Sequence, residues 1–293
     1  MANPHIGFIG IGQMGMPMIR NLLQANLSVT GFDLNPLVAE ELKSEKYFDM
    51  ATSAIALTMK SDVIILMLPD SNIVDRLLWE GEEALAKVMN TKQTIIDMGS
   101  SDPVRSKANF DRLAQLGISF IDAPVSGGVR RAKDGSLSIM IGGLAPAVES
   151  VQPLFKAMGK TLIHVGAAGA GHAVKALNNY VSASGLLAVC EALVAAETFG
   201  IDPHLVNQVF NASTGKNNTT DIKVENFMLS GTFNSGFSLA LMRKDLQTAL
   251  DFMTRMETPN NFAEACTQTW TKAEKTLDKG ADHTAMYAFT QKK

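Results

Sequence analysis

The chain has 293 residues, 46% of them apolar and 19% charged, a globular mixture that excludes a disordered chain and leaves room for two domains or one large α/β unit. Its 26 basic and 29 acidic side chains give a net charge of -3, so no large positive field exists to hold a polyanion, which argues against nucleic acid as a main partner. Two cysteines, Cys190 and Cys266, cannot build a disulfide framework and suit a reducing compartment. The strongest apolar runs, such as 63–68, are too short to cross a bilayer, and the opening Met1-Ala2-Asn3-Pro4-His5 lacks the basic and apolar regions of a secretory leader. The expectation is a cytoplasmic protein that engages no membrane.

In chain order, short β-rich runs at 6–10, 28–32, 62–68, 93–98, 119–122, 137–142 and 161–165 alternate with amphipathic stretches at 16–24, 37–43, 72–78 and 104–116. Such alternation predicts a parallel sheet with crossover helices on both faces. The runs 63–68 and 94–98 are almost continuously apolar, as strands buried on both faces should be. After Gly171 the strand signals stop. Residues 173–199 read as one long helix rich in Ala, Leu and Val that ends at Gly200, a plausible C-cap. Its small residues, among them Ala176, Ser184 and Gly185, suit close packing between domains or subunits. Further helical patterns cover 203–211, 220–229, 239–255 and 262–279, with no internal repeat or long linker. The predicted architecture is α/β: a doubly wound, mainly parallel domain over 1–163, joined directly to an all-α domain over 164–293. A cleft between two such domains is the natural place for a ligand.

The run Ile9-Gly10-Ile11-Gly12-Gln13-Met14-Gly15 follows a strand, opens a helix and matches the spacing G-x-G-x-x-G. Gly10 permits a tight turn, Gly12 lets backbone approach a pyrophosphate, and Gly15 lets helix pack on strand, with the helix amides facing the anion. Asp33 ends the second strand about 20 residues further on, where a carboxylate accepts hydrogen bonds from an adenosine ribose. Together these predict a Rossmann-type dinucleotide site. A carboxylate also repels a ribose 2′-phosphate, and Leu34-Asn35-Pro36 brings no cation, so NAD is expected over NADP.

Four further blocks follow in order: Met67-Leu68-Pro69; Asp122-Ala123-Pro124-Val125-Ser126-Gly127-Gly128; Gly169-Ala170-Gly171-His172-Ala173-Val174-Lys175 with Asn178-Asn179; and Lys244-Asp245. With these and the glycine motif the chain, over essentially its whole length, resembles the β-hydroxyacid dehydrogenases, the group that includes 3-hydroxyisobutyrate dehydrogenase, tartronate semialdehyde reductase and, more distantly, 6-phosphogluconate dehydrogenase. The resemblance implies an oxidoreductase that moves hydride between a nicotinamide cofactor and a small 3-hydroxy acid or its semialdehyde. It implies that Gly10, Gly12, Gln13, Met14, Gly15, Met67, Leu68, Pro69 and Lys244 line the cofactor, and that the protein is a homodimer or homotetramer.

The residues make chemical sense beside it. Ser126-Gly127-Gly128 follows a strand and can turn successive amides and a hydroxyl toward a substrate carboxylate, although alone it would read as an ordinary glycine turn. Lys175 and Asn179 are four apart and share a helix face. Oxidising an alcohol requires a group to take the hydroxyl proton, and reduction requires the same group to return it. A lysine near a helix N-terminus in a partly desolvated cleft is a candidate, because dipole and burial both lower a pKa that ordinarily lies near ~10.4. Asn179 can then fix the substrate oxygen. A solvated surface lysine is the alternative for Lys175 and for Lys244. His172 either tunes Lys175 or serves the helix start, the second being preferred. The five histidines show no ligand spacing, and no metal is expected. Arg130, Arg131 and Lys133 either draw in an anionic substrate or form a solvated basic loop, again with the second preferred.

Two places depart from the family pattern. Ile96-Asp97-Met98 is followed by Gly99 where a Ser or Thr is usual, so a hydroxyl contact to cofactor falls to Ser100 or is lost. The loop Ser213-Thr214-Gly215-Lys216-Asn217-Asn218-Thr219-Thr220 carries two amides and an ammonium, which suggests a hydroxylated or additionally anionic substrate. An imine reductase or a non-catalytic nucleotide-sensing protein on the same scaffold are the competing readings.

Overall fold

The structure is a computed structural model and describes residues 4–292. The stretch 1–3, read above as no part of a leader, lies outside the described residues.

The N-terminal unit is built on a nine-stranded sheet. Strands β1 (Ile6–Ile9), β4 (Val63–Leu66) and β5 (Thr94–Asp97) are buried at every residue, which explains their largely apolar sequence, Thr94 and Asp97 apart. Alternate residues serve opposite faces: Ile6, Phe8, Ile65 and Ile96 join one core cluster, while Ile9, Ile64, Leu66 and Ile95 join another. With β2 (Val29–Phe32), β3 (Phe48–Met50) and β6 (Ser119–Asp122), the parallel part runs in the order β3-β2-β1-β4-β5-β6. This is the doubly wound order, and its switch point lies between β1 and β4. Beyond β6 come β8 (Leu137–Gly142), paired antiparallel to β6 and to the short β7 (Val125–Ser126), and β9 (Gly159–Gly166), parallel to β8. The predicted mainly parallel Rossmann-type sheet is thus borne out.

Helix α1 (Gly15–Gln24) follows β1, α2 (Ala54–Lys60) precedes β4, α3 (Ser71–Trp79) follows it, and α4 (Pro103–Gln115) joins β5 to β6. The short helices α5 (Gly128–Lys133), α6 (Ala145–Ser150) and α7 (Gln152–Met158) flank β8. The amphipathic stretch at 37–43 forms a 3₁₀ turn over Pro36–Leu42, opened by Asn35, whose side chain accepts from the Leu37 amide. Strand β3 and helix α2 had no clear periodic signal.

Helix α8 (Ala170–Phe199) is continuous over 30 residues, and the chain divides into its two compact units inside it, between Lys175 and Ala176. The expected boundary after residue 163 would cut through β9, which is part of the sheet. Residues 176 onward form the helical unit, with α9 (Pro203–Ala212), α10 (Leu239–Arg255), α11 (Asn261–Thr276) and α12 (Met286–Gln291). Its core gathers Leu186, Cys190, Leu193, Val224, Leu246, Trp270 and Met286. The segment Thr219–Leu229 is a π-helix where an α-helix was expected. Its buried residues Thr220, Val224 and Met228 recur every fourth position, a spacing that does not separate the two helix types. Helix α8 has the length and mean hydropathy, 1.4 over 18 residues, of a membrane-crossing helix, which inspection of short apolar runs had missed. Ala183, Leu186, Cys190 and Leu193 sit at 0% exposure in the helical core, so packing inside the unit accounts for part of that composition, 39% of the apolar window being buried.

Candidate active site

The C-terminal ends of the parallel strands carry the first group of predicted residues. Gly10 has φ +100° and donates its amide to the Phe32 carbonyl at 3.0 Å. A Cβ there would strike the Met67 carbonyl, so the missing side chain lets the end of β4, Met67-Leu68, close against the turn. A Cβ on Gly15 would overlap the Gly10 carbonyl. Gly12 differs: it is exposed, with nothing within 4 Å of an added Cβ. Gln13 is exposed and Met14 half-buried, and Met14, at the N-cap of α1, makes no side-chain cap bond. The first turn of α1 thus faces an open approach, the arrangement a pyrophosphate needs.

Asp33 is half-buried, accepts from the Ile11 amide at 2.7 Å through one oxygen and from the Asn35 amide at 2.8 Å through the other. Each carboxylate oxygen keeps a further lone pair, so these bonds orient the group without exhausting it. Met67 and Leu68 are half-buried and Pro69 exposed. The glycine cradle, uncapped helix and oriented carboxylate fit a dinucleotide.

At the end of β5, Gly99 lies where a Cβ would sit 2.6 Å from the Leu68 carbonyl, so no hydroxyl-bearing residue fits without a shift. Its amide donates to Asp97 at 3.0 Å, and Ser101 donates its hydroxyl to the other Asp97 oxygen at 2.8 Å. Ser101 is therefore engaged inside the fold, while Ser100 is half-buried. At the substrate motif Ser126 is half-buried and ends β7, and Gly127 and Gly128 take φ +126° and +64°, backbone settings that favour glycine. The Arg131 stem packs over Gly127, and Arg130, Arg131 and Lys133 are exposed on α5.

The catalytic motif begins at α8. Asp122, wholly buried at the end of β6, accepts from the Gly169 amide at 2.7 Å and the His172 amide at 2.9 Å, serving the helix start as an N-cap from 47 and 50 residues away. A Cβ on Gly171 would lie 2.5 Å from the Met140 carbonyl, which holds this turn against the sheet. Lys175 comes one turn later and is half-buried. A further turn on, Asn179 is buried and donates its Nδ2 to Asp245 Oδ2 at 2.6 Å, while Asn178 donates to its Oδ1 at 3.1 Å. Asp245, on α10, is also buried, and the half-buried Lys244 places Nζ 3.7 Å from its other oxygen. Sequence reasoning assigned the lysine of Lys244-Asp245 and overlooked the aspartate.

The polar loop offers less than expected. Lys216 pairs with Asp221 at 3.1 Å, and the Asn217 side chain accepts from the Thr219 and Thr220 amides at 2.8 and 3.2 Å. Lys216 and the Asn217 side-chain oxygen are thus engaged within their own segment. Among the described residues no group of three or more His, Cys, Asp or Glu is arranged to hold a metal ion.

Two family models together span nearly the whole chain. The NAD binding domain of 6-phosphogluconate dehydrogenase matches residues 5–166, and the NAD-binding domain of NADP-dependent 3-hydroxyisobutyrate dehydrogenase matches residues 169–290. The 2-hydroxy-3-oxopropionate reductase of Escherichia coli is 39% identical over 245 residues, covering 84% of this chain and 82% of its own. The chain belongs to the β-hydroxyacid dehydrogenase family. This β-hydroxyacid dehydrogenase is also 35% identical to the 2-(hydroxymethyl)glutarate dehydrogenase of Eubacterium barkeri over 251 residues, 84% of this chain and 81% of that one. Among solved structures, the Mycobacterium tuberculosis 3-hydroxyisobutyrate dehydrogenase with L-serine superposes with a TM-score of 0.90 at 30% identity, covering 98% of this chain and 99% of the other. As a family member the dehydrogenase is an oxidoreductase that moves hydride between a nicotinamide dinucleotide and a hydroxy acid.

Proposed function

We propose that this dehydrogenase interconverts a small 3-hydroxy acid and its semialdehyde, with Lys175 as the general acid/base and NAD preferred over NADP. The observation that carries the reading is the placement of Lys175 one turn into a helix whose start is anchored to the sheet by Asp122. The nicotinamide, when bound, accepts or supplies the hydride. Gly10, Gly12, Gln13, Met14 and Gly15 would hold its pyrophosphate, with Asp33 on the adenosine ribose and Met67, Leu68, Pro69, Ser100 and Lys244 along the rest. Ser126, Gly127 and Gly128 turn a hydroxyl and amides toward the substrate carboxylate. Asn179 donates one Nδ2 hydrogen to Asp245 and keeps the second for the substrate oxygen. Lys175 takes the hydroxyl proton in oxidation and returns it in reduction.

NAD preference rests on the Asp33 carboxylate and on the absence of a cation in Leu34-Asn35-Pro36. The C-terminal family model, described by an NADP-dependent enzyme, makes this a point for measurement. We further propose a homodimer or homotetramer, supported by exposed Leu205 and Val209, one turn apart on α9, and by Val181 on α8, and a cytoplasmic location, which the free cysteines Cys190 and Cys266 suit.

A panel containing 3-hydroxyisobutyrate, 2-(hydroxymethyl)glutarate and 2-hydroxy-3-oxopropionate, read by NADH absorbance, identifies the substrate. With that substrate, Lys175→Ala is expected to lose about a thousandfold in kcat while NADH binding by fluorescence stays within about twofold. Substantial residual turnover would reject the acid/base assignment, and equal or better kcat/KM with NADP would reject the cofactor preference.

A further inference from the structure

The polar centre of the N-terminal unit contains a side chain that the proposed reaction does not use. His172 is 1% exposed, and its ring lies between two buried carboxyl groups: Nε2 is 3.9 Å from Asp97 Oδ2, and Nδ1 is 3.8 Å from Asp122 Oδ2. Nδ1 is also 2.8 Å from the Ser106 hydroxyl, which in turn lies 3.0 Å from the Asp102 carbonyl. A carbonyl can only accept, so the Ser106 hydrogen goes to Asp102 and the Ser106 oxygen accepts from Nδ1–H. That bond fixes the ring with Nε2 toward Asp97, where Nε2 has no hydrogen-bond partner among the described residues.

The two flanking aspartates have different duties. Asp97 holds the Gly99 amide and the Ser101 hydroxyl, and so shapes the loop that carries Ser100. Asp122 holds the Gly169 and His172 amides, and so fixes the helix start that carries Lys175. The same aspartate leads into the Ser126-Gly127-Gly128 turn. Asp97 and Asp122 are neighbours in register on β5 and β6. The ring lies between them, held from the first turn of α8 by its bond to Ser106 on α4.

We propose that His172 is a positioning residue for the reaction, tying the first turn of α8 to Ser106 on α4, beside the ends of β5 and β6, so that Lys175 keeps its placement relative to the Ser100 loop and the Ser126 turn. The inference rests on Lys175 being the acid/base. It requires no change in the protonation of the ring. The histidine acts through helix placement and touches neither substrate nor cofactor.

The test compares His172→Leu, His172→Asn, Ser106→Ala and Lys175→Ala in the full chain, using the best acid of the panel. Steady-state kcat and KM, NADH affinity and thermal midpoint are recorded for each. His172→Leu is expected to lower kcat about tenfold and Ser106→Ala about threefold, with KM and NADH affinity within about twofold. His172→Asn, whose amide can still donate to Ser106 from the Nδ1 position, should recover much of the loss in kcat. A purely structural histidine would lower the thermal midpoint while the folded enzyme kept its kcat, and that result overturns the proposal. Equal impairment of the Asn and Leu variants overturns it as well. Should His172→Leu fail to fold, Ser106→Ala decides, and an unchanged kcat there is fatal to the idea. Lys175→Ala separates the two levels: retained turnover in that variant sinks the acid/base reading, whereas its loss beside normal His172 and Ser106 variants sinks only the positioning role.

Discussion

Two glycines of one motif should respond in opposite ways to the same added methyl group. At Gly12 the Cβ enters open space, so Gly12→Ala is expected to fold with stability within about 0.5 kcal/mol of the parent. It should nonetheless weaken NADH binding about tenfold, because the methyl group occupies the path by which pyrophosphate reaches the backbone. At Gly15 the Cβ meets the Gly10 carbonyl, so Gly15→Ala is expected to lose about 2–3 kcal/mol in urea unfolding. NADH titration and urea denaturation of both variants check the pair; a destabilised Gly12→Ala or an undisturbed Gly15→Ala contradicts it. At this scale the motif was legible in sequence, because local spacing alone sets what each glycine must do. Asp122, Asp245 and the contacts of His172 were not assigned. Asp122 meets its partners 47 and 50 residues away and Asp245 meets Asn179 across 66, separations over which no periodic pattern carries information.

Among the elements, the π-helix Thr219–Leu229 carries a group whose ionisation is linked to stability. Burial lowers the Lys223 ammonium to about 8, against an opposing pull from Asp282. Burial would raise the Asp282 carboxyl, but hydrogen bonds from His283, Thr284 and Ser235 outweigh it and hold the group well below the ordinary carboxylate range. An unfolded lysine keeps its proton to about 10.5. Between the two values the unfolded chain binds more protons than the native one, so this group's contribution to stability rises with pH through that window and is least favourable below it. Lys223→Met is therefore expected to stabilise the protein at pH 7, by up to about 3 kcal/mol, with the advantage fading toward pH 10. Urea denaturation at several pH values reads this directly, and an advantage that grew with pH would refute it. The sequence showed this segment as helical and its lysine as one among many. Neither the wider helix nor the burial of Lys223 follows from a four-residue repeat. Helix α10, whose apolar face is regular, was by contrast read to its exact ends.

For the molecule as a whole, the place where the chain divides has an experimental consequence. A fragment ending at residue 163 would cut β9 and remove both amides that Asp122 binds, leaving a buried carboxyl without those donors. A fragment ending at residue 175 keeps them. The shorter piece is expected to be less stable by about 3 kcal/mol or more, or to fail to fold, when the two are compared by circular dichroism and urea titration. Equal stability would show that the helix start matters little to the sheet. The alternation of strands and helices was legible because buried parallel strands announce themselves as apolar runs between amphipathic ones. The boundary was not, because the change in composition precedes the first turn of α8, which belongs with the sheet.

Asp33 has a consequence for how cofactor use could change over time. Its oxygens bind the Ile11 and Asn35 amides and so help to close the glycine turn that they border. A lineage drifting toward a phosphorylated cofactor must discard the charge at this position while keeping an acceptor for those amides. Asparagine keeps an acceptor for one of the two amides and turns a donor toward the other, whereas a direct exchange to alanine or arginine removes both acceptors before the new preference could arise. Selectivity and integrity of the turn are thus inherited together, and the accessible evolutionary paths at this site are correspondingly narrow.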